Sequence, residues 1–264
     1  MATAQGIQSR HFLSADERQA YEDDGFIVRR RLFSPDEIAR LADEADALLE
    51  RTDLIDKLNL RCRFQSECAG NDCLFETFDP VIDLAPSCRK VALDTRIFEL
   101  LADVYGEEAC LFKDKLIFKP PGAMGFQLHQ DYIAWPGFPR SFVTVLVPID
   151  AACEENGCTE VFPGYHRQGC LSPQDGEYHD LPSDLIDEAR GVKLVLERGD
   201  IALFGGFTPH RAAPNRSTGW RRQLYLSYNA ASDGGDQRDA HYKEFRRFLR
   251  RKYAEYGLVD TYFL

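Results

Sequence analysis

The sequence of 264 residues has no long hydrophobic run and comparatively little positive charge. No stretch approaches the roughly 18 consecutive apolar residues that mark a membrane-spanning helix, so we expect no membrane partner. Residues 1–12 show no apolar segment behind a basic start, which favours a soluble, cytoplasmic protein. The 32 lysine and arginine residues are outnumbered by 43 aspartate and glutamate residues, giving a net charge of −11. Because this sign opposes binding to a phosphate backbone, we expect no nucleic-acid partner.

Closely spaced cysteine pairs are also lacking. The eight cysteines lie between Cys62 and Cys170 without one C-x-x-C pair. This pattern is neither the spacing of a zinc finger nor the density of a secreted disulfide framework. We interpret the cysteines as reduced thiols that mostly fill the core. Cys62, Cys68 and Cys73 are near enough in sequence to hold a metal, but no histidine lies beside them and burial is the favoured interpretation.

The composition that is present is that of a globular protein. Hydrophobic residues make up 44% of the chain and aromatic residues 12%, enough for a real core and too much for a disordered tail. The length suits a single domain in which helices decorate a β-rich core. We expect one domain over residues 1–264, with a helical N-terminal part (1–110), a β-rich core (111–230) and a C-terminal helix (236–256).

Helix signals are concentrated near the two ends of the chain. Ser14-x-x-Glu17 is a capping box that predicts a short helix ended by Gly25, and a short strand is predicted over 26–28. Ser34-Pro35-Asp36-Glu37 supplies an N-cap, a first-turn proline and an acidic third residue for a second helix. Further helices are predicted over residues 87–104 and 238–256.

From residue 111 the pattern changes to short β-prone runs separated by Pro/Gly turns. Six such runs cover residues 111–119, 141–149, 158–161, 192–197, 201–204 and 223–230. Many short strands with such turns favour an antiparallel sandwich or barrel. The predicted fold class is therefore mainly β with flanking α-helices.

A candidate metal site begins at His129-Gln130-Asp131. In an extended chain residues i and i+2 point the same way, so His129 and Asp131 can face one ion together. His210, which follows the run 201–204, is the candidate third ligand. Two histidines and one carboxylate on one face of a metal leave open positions, as in non-haem iron(II) oxygenases. A turn histidine capped by Asp131 and a surface histidine after Pro209 are the simpler alternatives.

Two arginines further along the chain support the prediction of that site. Arg221 and Arg222 begin a predicted strand eleven and twelve positions after His210. An oxygenase that uses 2-oxoglutarate needs a fork of donors for the far carboxylate of this cosubstrate, and a guanidinium meets a carboxylate bidentately. The two side chains alternate across the strand, so only one of them can point inward. A salt-bridged surface arginine is the alternative for either.

Several linked motifs, in order, resemble those of the phytanoyl-CoA dioxygenase family of iron(II)/2-oxoglutarate oxygenases, which includes ectoine hydroxylases. The resemblance covers most of the chain. Its motifs are Tyr21-Glu22-Asp23-Asp24-Gly25-Phe26-Ile27-Val28, Phe118-Lys119-Pro120-Pro121-Gly122, Leu128-His129-Gln130-Asp131, Glu155-Asn156-Gly157-Cys158, Phe162-Pro163-Gly164-Tyr165-His166, Gly199-Asp200, His210 and Pro214-Asn215-Arg216-Ser217 leading to Arg221.

The resemblance implies a double-stranded β-helix core of the jelly-roll or cupin type. It also implies Fe(II) bound by His129, Asp131 and His210, with 2-oxoglutarate held by Arg221 and O2 as the other cosubstrate. The reaction it implies is hydroxylation of a C–H bond, with release of succinate and CO2. Related halogenases have a small residue in place of the carboxylate, so Asp131 favours hydroxylation, although desaturation and ring closure use the same ligands.

The resemblance further suggests residues around the metal. Lys115 is carried over as a contact of 2-oxoglutarate, and Lys113 as a substrate contact. Trp135 has an aromatic counterpart in the ectoine enzymes, and Arg140 lies near the expected mouth of the pocket. The alternatives are a basic, solvated edge strand for the two lysines and a core position for the tryptophan. His166 is expected to shape the core and not to bind metal.

The substrate is predicted from charge alone. Lys113, Lys115 and Arg140 favour a small polar or anionic metabolite such as an amino acid, an ectoine-like zwitterion or an organophosphonate. A lipid-like or acyl-CoA substrate is the alternative, because Phe126, Trp135, Phe138 and Phe207 could line an apolar pocket. A cupin-type metal enzyme that does not use 2-oxoglutarate and a non-catalytic binding protein remain as rival classes. We expect a monomer or homodimer.

Overall fold

The computed structural model describes residues 12–65 and 74–264. Its helices and strands follow one another as α1 (Ala15–Asp24), β1 (Phe26–Arg29), α2 (Pro35–Leu49), β2 (Cys62–Phe64), β3 (Phe75–Phe78), α3 (Pro86–Ala92), α4 (Thr95–Tyr105), β4 (Ala109–Lys119), β5 (Phe126–His129), β6 (Val143–Pro148), β7 (Thr159–Val161), β8 (Val192–Lys193), β9 (Ile201–Gly205), β10 (His210–Ala212), β11 (Arg221–Ala230) and α5 (Arg238–Glu255). Among these helices, none is long and apolar enough to cross a bilayer.

The strands form two antiparallel sheets. The larger sheet has seven strands in the order β1-β9-β6-β11-β4-β3-β2, and the smaller has four in the order β5-β10-β7-β8. Apolar side chains of the larger sheet, such as Ile117 and Leu146, pack against Val161 and Cys158 at the smaller sheet. We call this side of the larger sheet, which carries Lys115, Tyr225 and Leu146, its inner face. The arrangement confirms the predicted mainly β, jelly-roll fold class.

The opposite, outer face of the larger sheet is covered by helices. Ile38 and Leu41 of α2 and Leu100 and Leu101 of α4 are completely buried in one cluster with outer-face residues such as Leu224. The predicted capping box of Ser14 and the predicted N-cap Ser34 are both present, since each serine accepts a hydrogen bond from the backbone N–H three residues on. The outer face is therefore covered by helices, whereas the inner face packs against the smaller sheet.

Three expectations differ from the structure. The helix predicted over 87–104 is two helices, because the Asp94 side chain caps the backbone N–H of Arg96 and starts α4 anew. The larger sheet is not confined to residues 111–230, since β1, β2 and β3 of the expected helical part join it. The strand expected over 192–197 is reduced to β8 and an isolated bridge between Ala152 and Leu196.

The cysteines form no disulfide among the described residues. Cys62, Cys88 and Cys158 are buried, while Cys110, Cys153 and Cys170 are partly exposed free thiols. Cys68 and Cys73 lie outside the described residues, so the alternative metal cluster with Cys62 stays untested.

Two glycines that end helices provide a matched stability test. Gly25 (φ 80°) and Gly106 (φ 71°) both cap a helix in the left-handed region. A Cβ on Gly25 would lie 2.4 Å from His166 Nδ1 and 2.8 Å from Thr208 Oγ1, whereas a Cβ on Gly106 meets nothing within 4 Å. We predict that Gly106→Ala lowers the free energy of unfolding by about 1–2 kcal/mol through backbone strain alone.

Gly25→Ala should cost about 2–5 kcal/mol, because overpacking adds about 1–3 kcal/mol to the strain. Urea denaturation of both variants measures the difference. Equal losses would show that the contact of Gly25 with His166 and Thr208 is not tight.

Candidate metal centre

Two histidines meet where β5 ends and β10 begins. His129 is the last residue of β5 and His210 the first of β10, and the two are directly opposite in the antiparallel pairing. Their ring centroids are 4.2 Å apart. His210 is also paired with Val161 of β7, so β10 is held from both sides. The sheet therefore fixes both histidines on one side of one strand pair.

The hydrogen bonds of the two imidazoles decide which nitrogen faces the site. His129 Nδ1 lies 2.7 Å from the carbonyl oxygen of Gln127, and His210 Nδ1 lies 3.0 Å from that of Thr208. Because a carbonyl only accepts, each Nδ1 carries the proton and each Nε2 keeps its lone pair. These Nε2 atoms lie 3.9 Å and 3.8 Å from Oδ1 of Asp131.

Asp131 completes the cluster. Thr144 of β6 donates a hydrogen bond of 2.7 Å to Asp131 Oδ2, which leaves Oδ1 directed at the histidines. One ligand atom from each of His129, Asp131 and His210 lies within 4.8 Å of the others, and the described residues contain no second cluster of this kind. The geometry is that of three ligands on one face of a metal.

The protonation states also suit a metal. Burial and the neighbouring His210 lower the pKa of His129 to about 3, and burial lowers the pKa of His210 as well. Burial alone would raise the pKa of Asp131, but His210, Lys115 and His129 bring it down to about 2. At neutral pH the site therefore offers two neutral imidazoles and one carboxylate, the forms that bind metal.

The alternation along β11 separates the two candidate arginines. Arg222 points outward, where its Nε bonds Asp150 at 2.8 Å and its Nη1 bonds Asp46. Arg221 points inward and has no exposed surface, and none of its three guanidinium nitrogens has a hydrogen-bond partner among the described residues. Burial lowers its pKa, and the nearby Tyr225 partly offsets this effect. Such a buried cation is costly unless an anion pairs with it.

A pocket adjoins the metal ligands on the inner face. Its walls include Lys115 and Ile117 from β4, Tyr225 from β11, Phe126 from β5 and Thr159 from β7. Lys115 Nζ lies 5.2 Å from the centre of the Tyr225 ring and makes no ion pair within the described part of the chain. Tyr225 is held in turn by its hydroxyl, which is 3.2 Å from Thr159 Oγ1. The pocket thus carries an unpaired positive charge beside the metal ligands.

Two further buried ionisable residues were not predicted as site residues from the sequence. Lys119 is almost fully buried, hydrogen-bonded to the carbonyls of Gly157 and Ala213, and burial beside Arg221 lowers its pKa to about 7. Glu76 on β3 accepts a bond of 3.3 Å from Gln65, and burial raises its pKa although Lys115 lies close. Thr144 lies in the strand predicted over 141–149, but it was not predicted as a site residue.

The other predicted site residues lie outside this pocket. Lys113 pairs with Asp79 at 3.0 Å. Trp135 packs near His241 and Phe248 of α5, in a separate groove. Arg140 is exposed.

The Arg140 guanidinium lies over the rings of Tyr132 and Phe207, at 5.6 Å and 5.3 Å. Substrate contact by Lys113, Trp135 and Arg140 stays a prediction. His166 does not join the metal ligands, as expected, and its Nε2 lies 3.2 Å from the carbonyl oxygen of Glu22.

Comparison with known proteins identifies the family. The model of the phytanoyl-CoA dioxygenase (PhyH) family matches residues 21–223. The chain belongs to this family. The resemblance seen in the motifs is confirmed, and so is the predicted enzyme class, since the relatives include named dioxygenases, one of them alpha-ketoglutarate-dependent. The predicted cofactors, iron and 2-oxoglutarate, are present in solved structures of the same fold.

Two curated PhyH relatives act on phosphonates by name. Methylphosphonate hydroxylase of Gimesia maris is 33% identical over 178 residues, which is 66% of this chain and 62% of the relative. The 2-aminoethylphosphonate dioxygenase of an uncultured bacterium is 32% identical over 180 residues, 66% of this chain and 64% of the relative. The aligned part of the chain thus spans slightly less than two thirds of each relative.

Among solved structures, EctD from S. alaskensis with 2-oxoglutarate and 5-hydroxyectoine has the same fold as this PhyH chain. The TM-score is 0.69 at 22% identity, over 88% of this chain and 83% of EctD.

The hydrogen bond from Thr144 to Asp131 yields a prediction about metal affinity. Partners that orient a metal ligand typically change affinity about 10–100-fold when they are removed. We expect Thr144→Val to weaken binding of Co(II) about tenfold or more, measured by competition with a chelator. Thr52→Val, at an exposed position, is the control. Unchanged affinity in Thr144→Val would mean that Asp131 needs no such support.

Proposed function

We propose that this chain is an Fe(II)- and 2-oxoglutarate-dependent dioxygenase that hydroxylates a C–H bond of a small anionic metabolite, an organophosphonate, and releases succinate and CO2. The observation that carries the proposal is the buried guanidinium of Arg221, whose three nitrogens have no hydrogen-bond partner among the described residues. Its neighbour Tyr225 lines the same pocket as the cluster of two histidines and one carboxylate. A dicarboxylate cosubstrate satisfies both features at once.

The residues present fit these groups. His129, Asp131 and His210 would hold iron(II), since imidazole and carboxylate are its usual ligands and the set leaves positions open. Arg221 would hold the distal carboxylate of 2-oxoglutarate, because a guanidinium binds a carboxylate bidentately. When bound, iron(II) and 2-oxoglutarate would together supply the electrons that activate O2 for oxidation of the C–H bond.

The chain's own residues then act by position and charge. Arg221 fixes the direction of the cosubstrate by its far end. Lys115 places a positive charge next to Asp131 and the reacting end of the pocket. Ile117 and Phe126 line the same pocket with apolar surface and so exclude water.

The positive charge of the pocket and the names of two relatives support an anionic substrate. Lys115 has no partner of opposite charge within 4.0 Å in the described chain, and the two curated relatives act on phosphonates by name. Of the four aromatic residues suggested for a lipid-like substrate, only Phe126 lines the pocket, so that alternative has less support. An enzyme without 2-oxoglutarate would leave Arg221 buried without a partner.

The two neighbouring arginines give a direct test of the cosubstrate assignment. We expect Arg221→Gln to raise the KM for 2-oxoglutarate about 30-fold or more, because losing one partner of a buried charge pair costs about 2–5 kcal/mol. Arg222→Gln is the matched control, since its side chain bonds Asp150 on the outer face. Succinate formation against 2-oxoglutarate concentration measures both. A raised KM for 2-oxoglutarate in Arg222→Gln, with an unchanged KM in Arg221→Gln, would assign the cosubstrate to Arg222 instead.

The substrate class is tested by turnover. Methylphosphonate and 2-aminoethylphosphonate should stimulate O2 consumption that depends on 2-oxoglutarate, because their charge suits the pocket. An acyl-CoA of a branched fatty acid is the comparison compound. Stimulation by the acyl-CoA alone would replace the phosphonate assignment by the lipid-like alternative.

A further inference from the structure

A row of polar side chains crosses the inner face beside the metal centre. Ser227 of β11 is directly opposite Lys113 of β4 and Thr144 of β6. Directly opposed residues point to the same face of a sheet, so all three side chains lie on one side. Since Thr144 bonds Asp131, this is the side of the metal ligands. At about 4.8 Å per strand, Lys113 starts within about 10 Å of Thr144.

Arg63 approaches the same region from β2. It is opposite Thr77 of β3, and Thr77 is opposite Ile117 of β4, which lines the pocket. The Arg63 guanidinium and the Lys113 ammonium lie over one aromatic ring, that of Phe245 in α5, at 5.1 Å and 4.4 Å from its centre. Two strands and α5 therefore bring two cations together.

The carboxylate of Asp79 lies within the electrostatic influence of both cations. Asp79 pairs with Lys113 at 3.0 Å and also accepts a hydrogen bond of 3.1 Å from Tyr242. Arg63 Nη1 donates to the carbonyls of Leu60 and Cys62, but its buried Nη2 has no partner among the described residues. One negative charge against two positive charges leaves room for an anion.

Ser227 supplies a neutral donor at the same place. The residue is 4% exposed, and its hydroxyl makes no hydrogen bond with any part of the chain that the structure describes. A serine hydroxyl without a protein partner, on the same side of the sheet as two cations, is free to donate a hydrogen bond to an anionic ligand.

We propose that Arg63, Lys113 and Ser227 form the subsite that binds the tetrahedral anionic group of the substrate, at the opposite end of the inner face from Arg221. The proposal rests on the proposed function and adds which residues determine substrate specificity. Lys119, which is opposite Arg221, is six residues from Lys113 along β4, or about 20 Å. The two anions, cosubstrate and substrate, therefore bind at separate ends of the inner face, and Thr144 holds the metal ligand Asp131 in the row of Ser227 and Lys113.

This separation gives each subsite its own signature. Variants at Arg63 and Ser227 should bind the phosphonate more weakly and 2-oxoglutarate as tightly as the wild type. Arg221→Gln should bind 2-oxoglutarate more weakly and the phosphonate unchanged. Calorimetric titration of the iron-loaded protein in the absence of O2 measures the dissociation constants of both ligands without turnover. The probes are methylphosphonate, in the presence of saturating 2-oxoglutarate, and 2-oxoglutarate alone.

We expect Arg63→Gln to weaken methylphosphonate binding at least about tenfold, because it removes one partner of a buried charge contact. Ser227→Ala, which changes no charge, should weaken it to a smaller degree. Lys90→Gln, at an exposed position on α3, should bind like the wild type. Thermal unfolding of each variant identifies any loss that comes from misfolding, and Ser227→Ala keeps the test valid if Arg63→Gln is unstable.

The outcomes separate the two proposals. If the wild type binds methylphosphonate and forms succinate with it, but Arg63→Gln and Ser227→Ala bind it equally well, the subsite is wrong and the proposed function stands. If the wild type binds neither methylphosphonate nor 2-aminoethylphosphonate, the phosphonate assignment is wrong and the subsite with it. A parallel loss of 2-oxoglutarate affinity in both variants would also overturn the separate subsite.

Discussion

The candidate centre depends on the pairing of two short strands. The register that sets His129 of β5 against His210 of β10 joins residues that are 81 positions apart in the chain. A slip of one residue would turn one imidazole to the other face of the sheet, because side chains alternate along a strand. β10 has only three residues, and its pairing with both β5 and β7 keeps this register. Thr144 of the larger sheet then positions the third ligand, Asp131, which lies two residues beyond β5.

The inner face carries more positive than negative charge. Its cations include Arg221, Lys119, Lys115, Lys113 and Arg63, against the carboxylates of Glu76, Asp79 and Asp131. Buried charges without partners lower the free energy of unfolding, so a core selected for stability alone would not contain them. Their arrangement is explained by ligands that bring negative charge, and the net charge of −11 of the whole chain says nothing about this local excess.

Local features of the centre could be predicted from the sequence. The spacing of His129 and Asp131, the capping serines of α1 and α2, and the alternation at Arg221 and Arg222 all depend on neighbours in the chain. The choice between the two arginines required the structure, because only the contacts of Arg222 with Asp150 and Asp46 show which side faces outward.

Other features depend on pairing between distant strands, which sequence spacing alone does not reveal. Glu76 and Arg63 lie on β3 and β2, in a region whose strands were not located in advance. Their place beside β4 follows only from the sheet order. Trp135 could not be placed either, since its packing against α5 joins residues more than a hundred positions apart.

The most direct test of the account is an anaerobic titration of the purified protein with Fe(II) and 2-oxoglutarate, followed by visible absorption. Chelation of iron by 2-oxoglutarate in the site of His129, Asp131 and His210 should produce a weak charge-transfer band that saturates at one equivalent of each per chain. The band should require both additions, and in Arg221→Gln it should need much more 2-oxoglutarate. Iron binding without any such band at saturating 2-oxoglutarate would contradict the account.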